Sequence, residues 1–169
     1  MKDQGKEIIK MQLLHLIHGP GINTYNRFRH FLEVQHLLKG WHFWYCLRHA
    51  YEGSDGLYIY RPQIKELFQR DEPEKEFLME PEENEFLASL EPVVTIHRGM
   101  SIAEMESGNL GVSWTLSRKH AEFFAFEYHR APFPPDKMTV MTLEVNAADI
   151  IAYFGDSEEE VIFIHNTQE

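Results

Sequence analysis

A change of period near residue 92 constrains this chain more than any other feature. Before it, apolar side chains recur at helical spacing. After it, short β-branched and aromatic runs alternate with polar residues and are separated by turn residues. Helices come first and strands later, which points to an α+β architecture.

The helical part opens with Ile8, Ile9, Met11, Leu13, Leu14 and Ile17 on one face, ended by "HGPG". Asn23 or Thr24 is placed to cap a second helix through "YNRFRHFLEVQHLLKG". "WHFWYCLRHAYEG" is aromatic nearly all round and should be mostly buried. After the turn "SDG", a short helix follows in "RPQIKELFQR". Residues 71–91 are crowded with acids and read as a surface connection ending in a helix from Pro81 to Leu90. We place the boundary here, with residues 1–90 as a helical region and 91–169 as a β-rich core, together one compact unit. The helical region is either a layer under the sheet or an inhibitory or partner-binding segment. The aromatics Trp41, Phe43, Trp44 and Tyr45 favour the layer.

In the β-rich part, "VVTIHRG", "GVSWT", "MTVMTLEV", "DIIAYF" and "EVIFIH" read as strands. "SRKHAEFFAFEYHR" reads as a helix with Ala121, Phe124, Ala125 and Tyr128 at helical spacing.

Composition narrows the function classes. The net charge is −11, with residues 1–60 at +2 and residues 61–169 at −13, so phosphate backbones should be repelled by the second part. The single Cys46 rules out an intramolecular disulfide. No run approaches the ~20 apolar residues of a membrane span, and the charged N-terminus lacks a signal-peptide core. These point to a soluble, cytoplasmic protein. His15 with His18, and His30, His36, His42 and His49, invite a metal reading. Two ligands on a helix face do not close a zinc site, and we assign no metal.

Three stretches leave polar groups on or beside apolar strands. Arg98 and Gly99 in "TIHRGM" combine a planar fork of donors with room for close backbone approach. The alternative is a local ion pair. In "GVSWTLS", Ser113 and Thr115 fall on one side of a strand and Trp114 on the other, which is also ordinary strand polarity. In "GDSEEEVIFIH", alternation puts Glu158 and Glu160 on one face and Glu159 on the other. The alternative is a solvated acidic turn.

Taken in order, Arg98, Ser113 in "SWT", and Glu158 with Glu160 in "EEEV" resemble the arginine–serine–glutamate class of mono-ADP-ribosyltransferases over residues 92–165. The helix with "AEFFA" after the serine adds to the likeness. Trp114 departs from the family pattern, where a small residue stands.

The resemblance implies an ADP-ribosyltransferase-like mixed sheet. NAD would be the co-substrate, with nicotinamide leaving and ADP-ribose passing to a protein acceptor. It implies that Glu160 stabilises the oxocarbenium-like ribose and that Ser113 holds Glu160. Arg98 would hold the NAD phosphate and ribose, with Gly99, Trp114, Thr115 and Phe124 around the cofactor. Glu158 would select an arginine acceptor, contacted by Tyr153 or Phe154. Such enzymes are similar to toxins, effectors and phage-encoded host modifiers, so the compartment implied includes a host cytoplasm. Three other readings stand beside this one: NAD hydrolysis without a protein target, a non-catalytic binding module of the same fold, and an RNA 2'-phosphotransferase. The last shares the wider fold but uses histidines where Ser113 stands, and His97 beside Arg98 is its only support here.

Overall fold

The computed structural model describes residues 2–166, with side chains from residue 4. The chain divides into two compact units, Met1–Glu80 and Pro81–Glu169.

The first unit is helical: α1 (Lys2–His18), α2 (Arg27–Val34), α3 (Trp41–Glu52) and α4 (Arg61–Phe68). Asn23 organises the entry to α2 through its side-chain oxygen, which accepts from the backbone N–H groups of Tyr25 (2.9 Å) and Asn26 (3.2 Å). That helix is shorter than its periodicity suggests. It breaks at Gln35 into a single 3₁₀ turn. As its composition requires, α3 is the buried centre, with Phe43, Trp44, Cys46, Leu47 and Ala50 fully enclosed.

The acid-rich segment after α4 does more than connect. Glu72 accepts from the N–H of Gly40, and Glu74 accepts from the N–H of Trp41 at 3.1 Å, so two carboxylates satisfy the amino end of α3. The Trp44 indole N–H returns the tie by donating to Pro73 O at 2.9 Å.

The second unit carries α5 (Pro81–Ser89), β1 (Val93–Ser101), α6 (Ile102–Ser107), β2 (Ser113–Thr115), α7 (Arg118–Glu122), β3 (Met138–Asn146), β4 (Ala152–Phe154) and β5 (Glu160–Ile162). The five strands form one antiparallel sheet in the order β3-β1-β2-β5-β4. The chain is therefore α+β, as the change of period indicates. β1 and β3 pair over nine consecutive residues without a bulge.

Three expected elements differ. The helix after β2 stays α-helical only to Glu122, then widens into a π turn, Phe123–Glu127, closed by Tyr128 N–H to Phe123 O at 2.8 Å. The strands expected over "DIIAYF" and "EVIFIH" are each three residues long. Periodicity also gave no sign of α6, whose start is fixed by Ser101 accepting from Glu104 N–H at 3.0 Å. No described helix is long and apolar enough to cross a membrane.

Candidate functional site

The site is built on the β2–β5 pairing. Ser113 stands opposite Ile162, Trp114 opposite Val161 and Thr115 opposite Glu160. Directly opposed residues share a face, with Cα atoms about 4.5–5.5 Å apart. Ser113, Thr115 and Glu160 therefore share one face near the middle of the sheet, with Ser113 diagonal to Glu160. His97 on β1 is opposite Thr115, and Phe154 on β4 is opposite Glu160, so all five lie on that face.

Glu158 reaches this neighbourhood by a different route from the one alternation suggests. The strand begins only at Glu160. Glu158 lies in the preceding turn, and Glu159 has φ +49°, in the left-handed region. A left-handed residue breaks the two-residue repeat, so Glu158 and Glu160 do not share a strand face by alternation.

The turn is held in place instead. Asp156 accepts from Glu158 N–H at 2.9 Å, and Thr115 donates its hydroxyl to Glu158 O at 2.7 Å. Leu116 N–H donates to Glu159 O at 3.2 Å, and His120 Nδ1 lies 3.2 Å from Glu158 O. Partial desolvation of its carboxyl, on a residue that is exposed overall, raises the Glu158 pKa above the ordinary glutamate value. The charge of Asp156 adds to that rise and His120 opposes it.

Arg98 sits on the other side of β1 from His97 and hence from Glu160's face. Its donors are directed inward. Nε and Nη2 donate to Glu104 at 3.0 and 2.8 Å, and Nη1 donates to Ser113 O at 2.6 Å. Gly111 N–H donates to the same Glu104 oxygen at 2.9 Å. A Cβ on Gly111 would strike the guanidinium, so any side chain there would displace Arg98 from this position. Arg98 thus fastens the start of β2 to α6. The arrangement is the local ion pair that its acidic surroundings allow, and it does not leave an open fork aimed at a phosphate.

Gly99 also serves packing. A Cβ there would collide with Ala121 O and lie 3.0 Å from Ala125 N, so glycine lets α7 and its π turn rest directly on β1. That contact takes the space which close approach of a cofactor would need.

The aromatic candidates are mostly interior. Trp114 is 2% exposed, with its ring edge-on to Phe163. Phe124 packs with Phe123 and Tyr128 at centroid distances of 5.7 and 5.3 Å. Phe154 is fully enclosed, and Tyr153 is nearly so, stacked on Phe86 at 4.3 Å. An enclosed ring cannot meet a protein acceptor, so the expected contacts from Phe154 and Tyr153 are core contacts here. The loop after them is tied back where Gly155 N–H donates to Glu83 at 2.8 Å.

Sequence reasoning missed Glu104, His120 and the part played by His97. His97 Nδ1 lies 2.8 Å from Thr142 Oγ1, and burial lowers its pKa. Glu104 and His120 carried one signal, the adjacent caps Ser101 and Ser117, which start α6 and α7 and aim both helices at the site. Among the described residues, no three His, Cys, Asp or Glu side chains converge as a metal site.

The chain matches no protein-family model, no curated protein and no solved structure.

Proposed function

We propose that this chain is a NAD-dependent mono-ADP-ribosyltransferase that modifies arginine side chains of a protein acceptor. The supporting observation is the β2–β5 register, which sets Ser113 and Glu160 on one face of adjacent strands, with the Glu158 turn anchored to the end of β2.

In this reading, the bond between ribose C1' and the nicotinamide nitrogen breaks, and nicotinamide leaves with the bonding electrons. Positive charge grows on the ribose, and the fixed Glu160 carboxylate stabilises it. Glu158 attracts the acceptor guanidinium and takes its proton as the new C1'–N bond forms. A carboxylate with a raised pKa is better matched to that proton transfer than an ordinary glutamate. The Ser113 hydroxyl, which has no hydrogen-bond partner among the described residues, orients Glu160 or a ribose hydroxyl. Arg98 acts through Ser113, by holding its carbonyl, and is a positioning residue.

The test is nicotinamide release and label transfer from NAD, with and without an arginine-bearing acceptor. Transfer to arginine supports the reading, and release without transfer reduces the activity to NAD hydrolysis. A second reading, a non-catalytic module of the same kind, is favoured by one observation: the Arg98 fork is already engaged by Glu104 and Ser113. Absence of NAD binding by calorimetry selects that module.

A further inference from the structure

Strand β3 is the edge of the sheet and has a strand neighbour on one side only, β1. It is nine residues long, "MTVMTLEVN", and is paired along its whole inner side. Among the described residues, no backbone group of β3 bonds to anything beyond that ladder.

Natural sheets guard such edges with proline, lysine, bulges or very short strands. β3 has none of these. Its only charge is Glu144, and Thr142, Glu144 and Asn146 are exposed. β4, at the opposite end, is three residues long and packs against α5. β4 is therefore guarded by its shortness and by α5, whereas the charge of Glu144 is the one guard within β3.

We propose that β3 pairs with β3 of a second copy, antiparallel about a two-fold axis, joining two five-stranded sheets into one. The sequence of the strand is self-complementary. A two-fold axis at Thr142 sets Glu144 opposite Val140, Met141 opposite Leu143 and Thr139 opposite Val145. An axis at Leu143 sets Glu144 opposite Thr142, Met141 opposite Val145 and Val140 opposite Asn146. In neither register does the single carboxylate meet itself, and Met141, Leu143 and Val145 meet only apolar or threonine partners on their face. An antiparallel two-fold pairing also closes at two copies and leaves no further long edge to propagate a fibre.

Each copy carries a net charge of −11, so the association strengthens with salt as the mutual repulsion is screened. Were the edge instead the seat of an unrelated extended peptide, the purified chain alone would stay monomeric at every protein concentration.

The experiment is light scattering on the full chain over a range of protein and salt concentrations. The expected result is a mass rising from the 20.0 kDa monomer to twice that, at lower protein concentration in higher salt. The double variant Thr142→Lys with Glu144→Lys sets lysine against lysine in both registers, and it should remain monomeric while keeping the wild-type circular dichroism. Because Thr142 also contacts His97, a second pair of variants guards against a folding defect. Thr142→Cys and Leu143→Cys, made separately, should give a disulfide-linked dimer on mild oxidation in at least one case, since Cys46 is buried. A wild-type mass fixed at the monomer with no cross-linking at either position overturns the proposal.

Discussion

The hydroxyl of Thr115 donates to the carbonyl of Glu158 at 2.7 Å and accepts from the N–H of Ser117 at 3.0 Å. One buried side chain thus fixes both the turn that carries Glu158 and the chain entering α7. Thr115→Val keeps the shape and removes both bonds, leaving the half-buried Ser117 N–H without its acceptor and Glu158 O with only the His120 ring. We expect a loss of about 1 kcal/mol in denaturant unfolding, with Thr115→Ser close to wild type. A valine variant as stable as wild type would show that the turn is held by other means.

Glu160→Gln should reduce ADP-ribosyl transfer by about 100-fold or more, the range seen when a fixed group that stabilises transition-state charge is removed. Its circular dichroism should be unchanged. Glu158→Gln should lower arginine modification more than NAD hydrolysis. Because the Glu158 carboxyl titrates above the ordinary glutamate value, transfer should fall as pH drops through that raised pKa. That acid limb should disappear from the residual activity of Glu158→Gln. Equal losses of transfer and hydrolysis in this variant would remove the acceptor role.

The order of helices and strands was legible because burial imposes period on composition, and the face shared by Ser113 and Thr115 follows from strand alternation alone. Glu158 was misplaced because alternation holds only within a strand, and the left-handed Glu159 marks where this strand starts. Arg98 looked like a ligand-binding fork because its partner Glu104 lies on a six-residue helix too short to announce itself by periodicity. Gly99 reads as room for close backbone approach, and Gly111 gives no reading from the sequence. Their reason is an approach by Ala121 and by the Arg98 guanidinium respectively, which depends on tertiary packing.

Those two glycines should respond differently to alanine. Gly99→Ala drives a methyl into the backbone of α7, which cannot yield without moving the helix off β1. A fall in Tm on the order of 5 °C is expected. Gly111→Ala meets the end of a flexible side chain, so the guanidinium shifts and its bonds to Glu104 and Ser113 O weaken. Its cost should be shared with Glu104→Gln, so the double variant should lose less than the two single losses combined. Additive losses would separate Gly111 from the ion pair.

His49 makes the first unit sensitive to acid. Its ring lies edge-on to Tyr45 at 4.5 Å and to His18 at 6.0 Å. Burial, followed by His18, Arg48 and Lys10, lowers its pKa from 6.5 to about 4. His18 is lowered too, by burial and then by Arg27. The folded state therefore holds His49 neutral at pH values where the unfolded chain protonates it. Between pH 6.5 and about 4 the unfolded state binds more protons, so stability falls as pH falls across that window, while above 6.5 this contribution is complete. The loss from this group is about 2–3 kcal/mol. Denaturant unfolding of the chain carrying Trp114→Phe, followed by tryptophan fluorescence from Trp41 and Trp44 at pH 7 and pH 4.5, measures it. His49→Gln, which has no ionisable ring, should lose less stability over the same interval, and an unchanged pH slope in that variant would assign the acid sensitivity to other groups.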